Sequence, residues 1–172
     1  MSRILVTPLS AVEDVIRRHR PSHIVTLLSP EHMIETPAGF PPDRHLRLGM
    51  NDVVDVEAAQ APPGRDHVER LLAFSRDWPA ADPLLVHCWA GISRSMAATY
   101  IILCDRLGHG SEGAAARAIR DRAPHAYPNA LLVRHADEML GRRGRMVEAI
   151  RAIGMGTMIN EGGVVEFPLV EL

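Results

Sequence analysis

Short apolar runs separated by amphipathic stretches occupy the first half of the chain. This is the alternation expected of strands and crossover helices wound into a mostly parallel sheet. Ile4-Leu5-Val6 reads as a first short strand. Ser10 to Arg20 places Val12, Val15 and Ile16 at helical spacing behind a Ser10 cap, with Glu13 three residues on and Pro21 as the stop. His23 to Leu28 follows as a buried strand, the Pro- and Gly-rich stretch Ser29 to Pro42 as a surface loop, and Arg44 to Leu48 as another strand. Beyond a second loop at Ala61 to Gly64, Val68, Leu71, Leu72 and Phe74 give the next helix a buried stripe up to Trp78-Pro79.

Leu84-Leu85-Val86 is a continuous apolar run after Pro83, the mark of a central strand covered on both faces, and it ends at His87-Cys88. Ser95 to Leu107 is apolar nearly all round, so it belongs in the core, and Gly108 closes it. Ser111 to Ala123 and Asn129 to Leu140 are amphipathic helices split by Pro124 and Pro128, and Arg145 to Ile153 adds a last one. The predicted fold class is α/β, a single domain over 1–153 with a mostly parallel central sheet flanked by helices. Residues 154–172 form a C-terminal arm in which Val164-Val165 and Phe167-Pro168-Leu169 make either a loose segment or an edge strand.

Composition narrows the chemistry. A chain of 172 residues, 47% apolar, supports one core of ordinary size. The formal charge of −2, with charged residues spread along the whole chain, argues against a nucleic-acid partner. All 19 basic residues are arginine. With no lysine, the chain lacks the amine required by Walker-type ATPases, protein kinases, pyridoxal-phosphate enzymes and Schiff-base aldolases. Phosphate must then be handled by arginine and backbone N–H groups. Two cysteines, Cys88 and Cys104, are too few for a disulfide framework and do not fit zinc spacing. No leader-like segment and no apolar run near the roughly 18 residues of a membrane span is present, so the expectation is a cytoplasmic protein with no membrane partner. His19 and His23 have the i,i+4 spacing of metal ligands, but Pro21 breaks the helix that would align them, and no metal or other cofactor is expected. Arg142, Arg143 and Arg145 read as a solvated helix junction beside helix C-terminal dipoles, or else as a docking point for an acidic partner.

The segment His87-Cys88-Trp89-Ala90-Gly91-Ile92-Ser93-Arg94-Ser95 joins the buried strand to the core helix, with five residues between Cys88 and Arg94. In that setting successive backbone N–H groups can curl toward one centre, the helix N-terminus adds positive potential, and Gly91 permits the turn. Arg94 can present its planar fork to two phosphoryl oxygens. Cys88 lies at the floor, where positive potential favours its ionised, nucleophilic form.

This Cys-x5-Arg-Ser run resembles the signature of the protein tyrosine phosphatase superfamily and is most similar to the compact dual-specificity, bacterial type. Asn51-Asp52, 36 residues before Cys88, resembles the segment carrying the general acid in those enzymes, and Pro128-Asn129 resembles an element they place beside the phosphate loop. The resemblance covers roughly Ile4 to Leu140. It implies a phosphomonoester hydrolase acting on phosphotyrosine, and on phosphoserine or phosphothreonine in the dual-specificity case, with a phosphorylated protein or small aryl phosphate as substrate. The roles it implies are Cys88 as nucleophile and Asp52 as acid and then base. Arg94 and the loop from Trp89 through Ala90, Gly91, Ile92 and Ser93 hold the phosphoryl group, Ser95 steadies the returning thiolate, and His87 orients the loop. Asp55 shares the segment of Asp52 and is the other candidate acid. Trp89 either lines the mouth or packs beneath the loop. The uncharged loop positions argue against an inositol-lipid substrate. Two other classes stay open: a rhodanese-like sulfurtransferase, which also cradles a thiolate at a strand end, and a non-catalytic phosphoprotein-binding module.

Overall fold

The structure, a computed structural model, describes residues 2–169. Strands β1 (Arg3–Pro8), β2 (His23–Leu28), β3 (His45–Gly49), β4 (Leu84–Cys88) and β5 (Val165–Pro168) form one sheet in the order β3-β2-β4-β1-β5. All pairings are parallel except β1 with β5, which is antiparallel. The helices are α1 (Val12–His19), α2 (Arg65–Asp77), α3 (Arg94–Leu107), α4 (Glu112–Arg122), α5 (Ala130–Met139) and α6 (Arg145–Ala152). Among the described residues no helix is long and apolar enough to cross a membrane.

β1 and β4 carry uninterrupted apolar runs, Ile4 to Val6 and Leu84 to Val86, and β2 is broken only by buried Thr26, because both faces of the sheet are covered there, whereas the edge strands carry Arg47 and Glu166. Side chains alternate between the faces. Ile4, Val6, Val25, Leu27, Leu84 and Val86 enter the large core beneath α2 to α6, whereas Leu5, Ile24 and Leu85 meet Val12 and Val15 of α1 on the other face. Helix α3 is buried from Arg94 to Cys104, as its all-round apolarity requires. Of the two forms open for the C-terminal segment, the structure has the edge strand: Phe167 pairs with Ile4 and is fully buried. Burial of a side chain of that size contributes about 1.5–3 kcal/mol.

This topology positions the site. β4 lies between β1 and β2, and the helix after β1 packs on one face while the helix after β4 packs on the other. Open α/β sheets bind ligands beyond the carboxyl ends of strands at such a switch point. The carboxyl ends of β1 and β4 meet there, with Pro8 opposite Cys88.

Two local expectations are corrected. Ser10 does not cap α1. The chain enters that helix through a 3-10 turn, Leu9–Ala11, and the Ser10 hydroxyl donates to Glu161 Oε1 at 2.9 Å, tying the C-terminal segment to this end of the sheet. Nor is the arginine cluster a solvated junction throughout. Arg142 is buried, and its guanidinium donates to the Cys104 and Gly108 carbonyls, each at 2.7 Å, and to Glu112 Oε1 at 2.8 Å. It satisfies the open carbonyls at the end of α3 and joins them to the start of α4. Burial alone would raise the pKa of Glu112; the hydrogen bond from Arg142, with further help from its own backbone and Arg145, outweighs this and lowers it to about 2.

Candidate active site

β4 delivers Cys88 at its last residue, and the next five residues turn into α3. The carbonyls of Trp89, Ala90, Ile92 and Ser93 accept from the N–H groups of Leu9, Gly162, Tyr127 and Asn129 respectively. In a trans peptide the N–H of the following residue points opposite to the carbonyl, and no peptide here is cis. The N–H groups of Ala90, Gly91, Ser93 and Arg94 are therefore turned away from those flanking segments, toward the inside of the loop. Gly91 makes the curl possible: its φ is +69°, and a Cβ on it would lie 2.9 Å from the Pro8 nitrogen. No side chain caps α3, which leaves its first-turn N–H groups open to the same space.

At the floor, Cys88 is buried and its Sγ lies 3.1 Å from Ser95 Oγ, itself fully buried. Arg94 is also buried; its Nη1 donates to the Met50 carbonyl at 2.8 Å and reaches Ser29 Oγ at 3.4 Å. Its Nε is buried with no hydrogen-bond partner, 4.0 Å from Asp52 Oδ2. A buried, unpaired N–H on a guanidinium facing a ring of backbone donors fits an oxyanion.

Asp52 reaches this site from a loop closed by Asn51, whose N–H donates to the Ala61 carbonyl at 2.7 Å and whose Oδ1 accepts from the Ala61 N–H at 3.1 Å. Asp52 Oδ1 accepts from Ser93 Oγ at 2.7 Å and from Asn129 Nδ2 at 2.9 Å. The other candidate, Asp55, turns back on its own segment and accepts from the Glu57 N–H at 3.0 Å. Trp89 is exposed at the rim, its ring 5.1 Å from that of His32, so it lines the mouth and does not pack beneath the loop.

His87 is fully buried, and burial lowers its pKa to about 4, which keeps it neutral near neutral pH. Its Nδ1 lies 3.4 Å from the Cys88 carbonyl and its Nε2 lies 2.6 Å from Thr26 Oγ1. A carbonyl only accepts, so Nδ1 carries the proton and Nε2 accepts from Thr26. The same logic makes His45 Nε2 donate to Thr26 at 2.8 Å and His45 Nδ1 accept from Thr36 at 3.0 Å. His87 thus orients the cysteine backbone through a neutral buried chain and supplies no charge.

Several of these groups escaped sequence reasoning. Ser29 stands just past the end of β2, next to β4, where the switch-point rule could have drawn attention to it. The Met50 carbonyl, Thr26 and His45 carry no comparable signal.

Comparison with protein-family models finds no match, and neither does comparison with curated protein sequences. Solved structures do match. DUSP15 aligns with 20% identity and a TM-score of 0.61, over 89% of this chain and 91% of that one. The chain has the dual-specificity phosphatase fold. Human tyrosine phosphatase-like serine/threonine/tyrosine-interacting protein shares this fold at 19% identity and a TM-score of 0.63, over 81% of this chain and 92% of that one. So does PTPMT1, solved in complex with PI(5)P, at 18% identity and a TM-score of 0.58, over 81% and 94%. The same fold carries different names across these neighbours, one of them solved with a phosphoinositide, so the choice among functions rests on the site.

Proposed function

We propose that this protein is a cysteine-dependent phosphatase that hydrolyses phosphotyrosine, and phosphoserine or phosphothreonine if its pocket admits them, through a phosphocysteine intermediate. One observation carries the reading. Cys88 lies beside Ser95 at the floor of a cradle of N–H donors, and Asp52 is tied to the rim of the same cradle by Ser93 and Asn129. A phosphoprotein-binding module needs the cradle but neither the thiol nor the acid. Sulfur transfer through a persulfide needs no rim carboxyl.

In the first step the Cys88 thiolate attacks phosphorus in line. The ester P–O bond breaks, and its electron pair leaves on the alcohol oxygen, which takes a proton from the Asp52 carboxyl. Arg94 and the inward N–H groups hold the equatorial oxygens, worth most where their charge is greatest. In the second step Asp52, now a carboxylate, takes a proton from water as its oxygen attacks phosphorus. The P–S bond breaks, its electron pair returns to Cys88, and the Ser95 hydroxyl donates to the thiolate. Inorganic phosphate leaves. The uncharged loop residues favour a phosphoprotein over a phosphoinositide. Two free cysteines fit a reducing compartment such as the cytoplasm.

Purified protein should release phosphate from p-nitrophenyl phosphate without added metal, and Cys88→Ser should not. Sulfur transfer from thiosulfate to cyanide, with no phosphate release, would overturn the reading.

A further inference from the structure

A groove that this chemistry does not use continues from the rim of the cradle. It begins at Ser93 as a cleft of about 410 Å³ whose walls include Val54, Tyr127 and Ile150, and Arg151 stands in it. A second cleft of about 330 Å³ shares Ile150 and Arg151 and adds Arg134. The two clefts adjoin between α5 and α6, sharing Ala130, Ile150 and Arg151. None of their lining residues is acidic. Val54 and Tyr127 are each 55% exposed and give the groove an apolar wall open to solvent.

The two arginines give the groove its chemistry. Both are exposed, and neither guanidinium has an ion-pair or hydrogen-bond partner among the described residues. Some surface arginines are paired, Arg65 with Glu138 at 3.0 Å and Arg76 with Asp105 at 2.7 Å, while Arg20, Arg44, Arg117 and Arg143 are exposed without a side-chain partner, so it is the shared groove that sets Arg134 and Arg151 apart. Arg151 stands in the last turn of α6, where it also complements that helix's dipole, and Arg134 stands in the middle of α5. Two cations from separate helices therefore line one groove that has no acidic residue in its walls.

We propose that this groove binds the polypeptide of the substrate, receiving an apolar side chain next to the phosphorylated residue and carboxylates beyond it. The spacing follows from α5. Arg134 is five residues past Asn129, the residue tied to Asp52, or about 7.5 Å along the helix. An extended chain covers about 3.3 Å per residue, so the carboxylate falls about two or three positions from the phosphorylated residue. The proposal names the substrate of the phosphatase read above and rests on that reading.

The experiment uses phosphotyrosine peptides with leucine beside the phosphotyrosine and Glu, Ala or Lys at the second and third positions on either side. Hydrolysis and binding by fluorescence anisotropy are both measured, with p-nitrophenyl phosphate as the control. For the wild type we expect kcat/KM to favour the Glu over the Lys peptides by about tenfold on one side, the size that two rim ion pairs supply. In the double variant Arg134→Glu, Arg151→Glu that preference should vanish or invert through KM, while p-nitrophenyl phosphate turnover stays unchanged. Equal use of the Glu and Lys peptides, or a preference the double variant leaves intact, would overturn the docking proposal. If the wild type hydrolyses neither peptide nor p-nitrophenyl phosphate, the phosphatase reading fails, and the anisotropy comparison of Glu with Lys peptides still decides whether the groove reads acidic chains.

Discussion

The side-chain amide of Asn129 donates to Asp52 Oδ1 at 2.9 Å, while the Asn129 oxygen accepts from the Leu131 and Leu132 N–H groups at the head of α5. One residue thus caps a helix and anchors a carboxylate to it. The Val53 carbonyl accepts from the same Asn129 amide at 3.0 Å, so the whole turn is held to the helix end. Asp52 is fixed to a rigid element although it is carried on an irregular loop. That is the condition for a proton donor positioned closely enough to matter in a transition state.

Replacing Asp52 by Asn should therefore lower kcat by about 10²–10⁴-fold for phenyl or alkyl phosphates, whose leaving groups need a proton. For an activated aryl phosphate the loss should be much smaller. Asp55→Asn, whose carboxylate stays within its own turn, should change neither. Steady-state kinetics across leaving groups checks this, and an exchange of the two behaviours would assign the acid to Asp55.

Arg94→Lys keeps the charge and removes the fork. The ammonium cannot donate to the Met50 carbonyl and also present paired N–H groups to a phosphoryl group. We expect kcat/KM to fall by about 10²–10³-fold, the usual cost of losing a positioned donor. Activity within a few-fold of wild type would remove Arg94 from the phosphate site.

The two cysteines should respond differently to alkylation. Burial pushes the Cys104 thiol up to about 12, and its side chain is fully buried in the last turn of α3. Only Cys88 opens on the cradle. Iodoacetate should inactivate the protein by modifying Cys88, with phosphate or vanadate slowing the loss, and peptide mass spectrometry should find Cys104 intact. Equal rates with and without the oxyanion would place the reactive thiol elsewhere.

Stability should fall on the acid side of neutrality. Burial lowers His45 and His87 from the ordinary value of 6.5 to about 4 each. Between those values the unfolded chain binds protons that the folded chain does not, so stability rises with pH through this window and is progressively lost below 6.5. Each imidazole contributes up to about 3 kcal/mol to that loss. Urea unfolding from pH 7 to pH 4.5 should show a steep decline, shallower in His45→Asn. Glu112, lowered to about 2, adds a further loss below its ordinary 4.5.

Much of this was legible in the sequence, for physical reasons that differ by element. The strands were readable because uninterrupted apolar runs such as Leu84 to Val86 have few uses other than a sheet covered on both faces. The loop was readable because Cys88, Gly91, Arg94 and Ser95 meet one requirement, an anion held over a thiol, within a single local segment. What escaped was long-range or backbone chemistry. Arg142 looked solvated because its partner Glu112 is 30 residues away and meets it only once the turn between α5 and α6 packs against the junction of α3 and α4. The Met50 carbonyl has no side-chain signature at all. Ser10 had every local mark of a cap, yet a partner 151 residues away, Glu161, takes its hydroxyl.

The central claim is that phosphate passes through Cys88. Mixing the protein with a large excess of aryl phosphate, quenching in acid within milliseconds and mapping the peptides by mass spectrometry tests this directly. We expect the peptide bearing Cys88 to gain the mass of one phosphoryl group, with the signal larger in Asp52→Asn, whose second step lacks its base, and absent in Cys88→Ser. Phosphate release without any phosphorylated Cys88 peptide in either the wild type or Asp52→Asn would contradict the account.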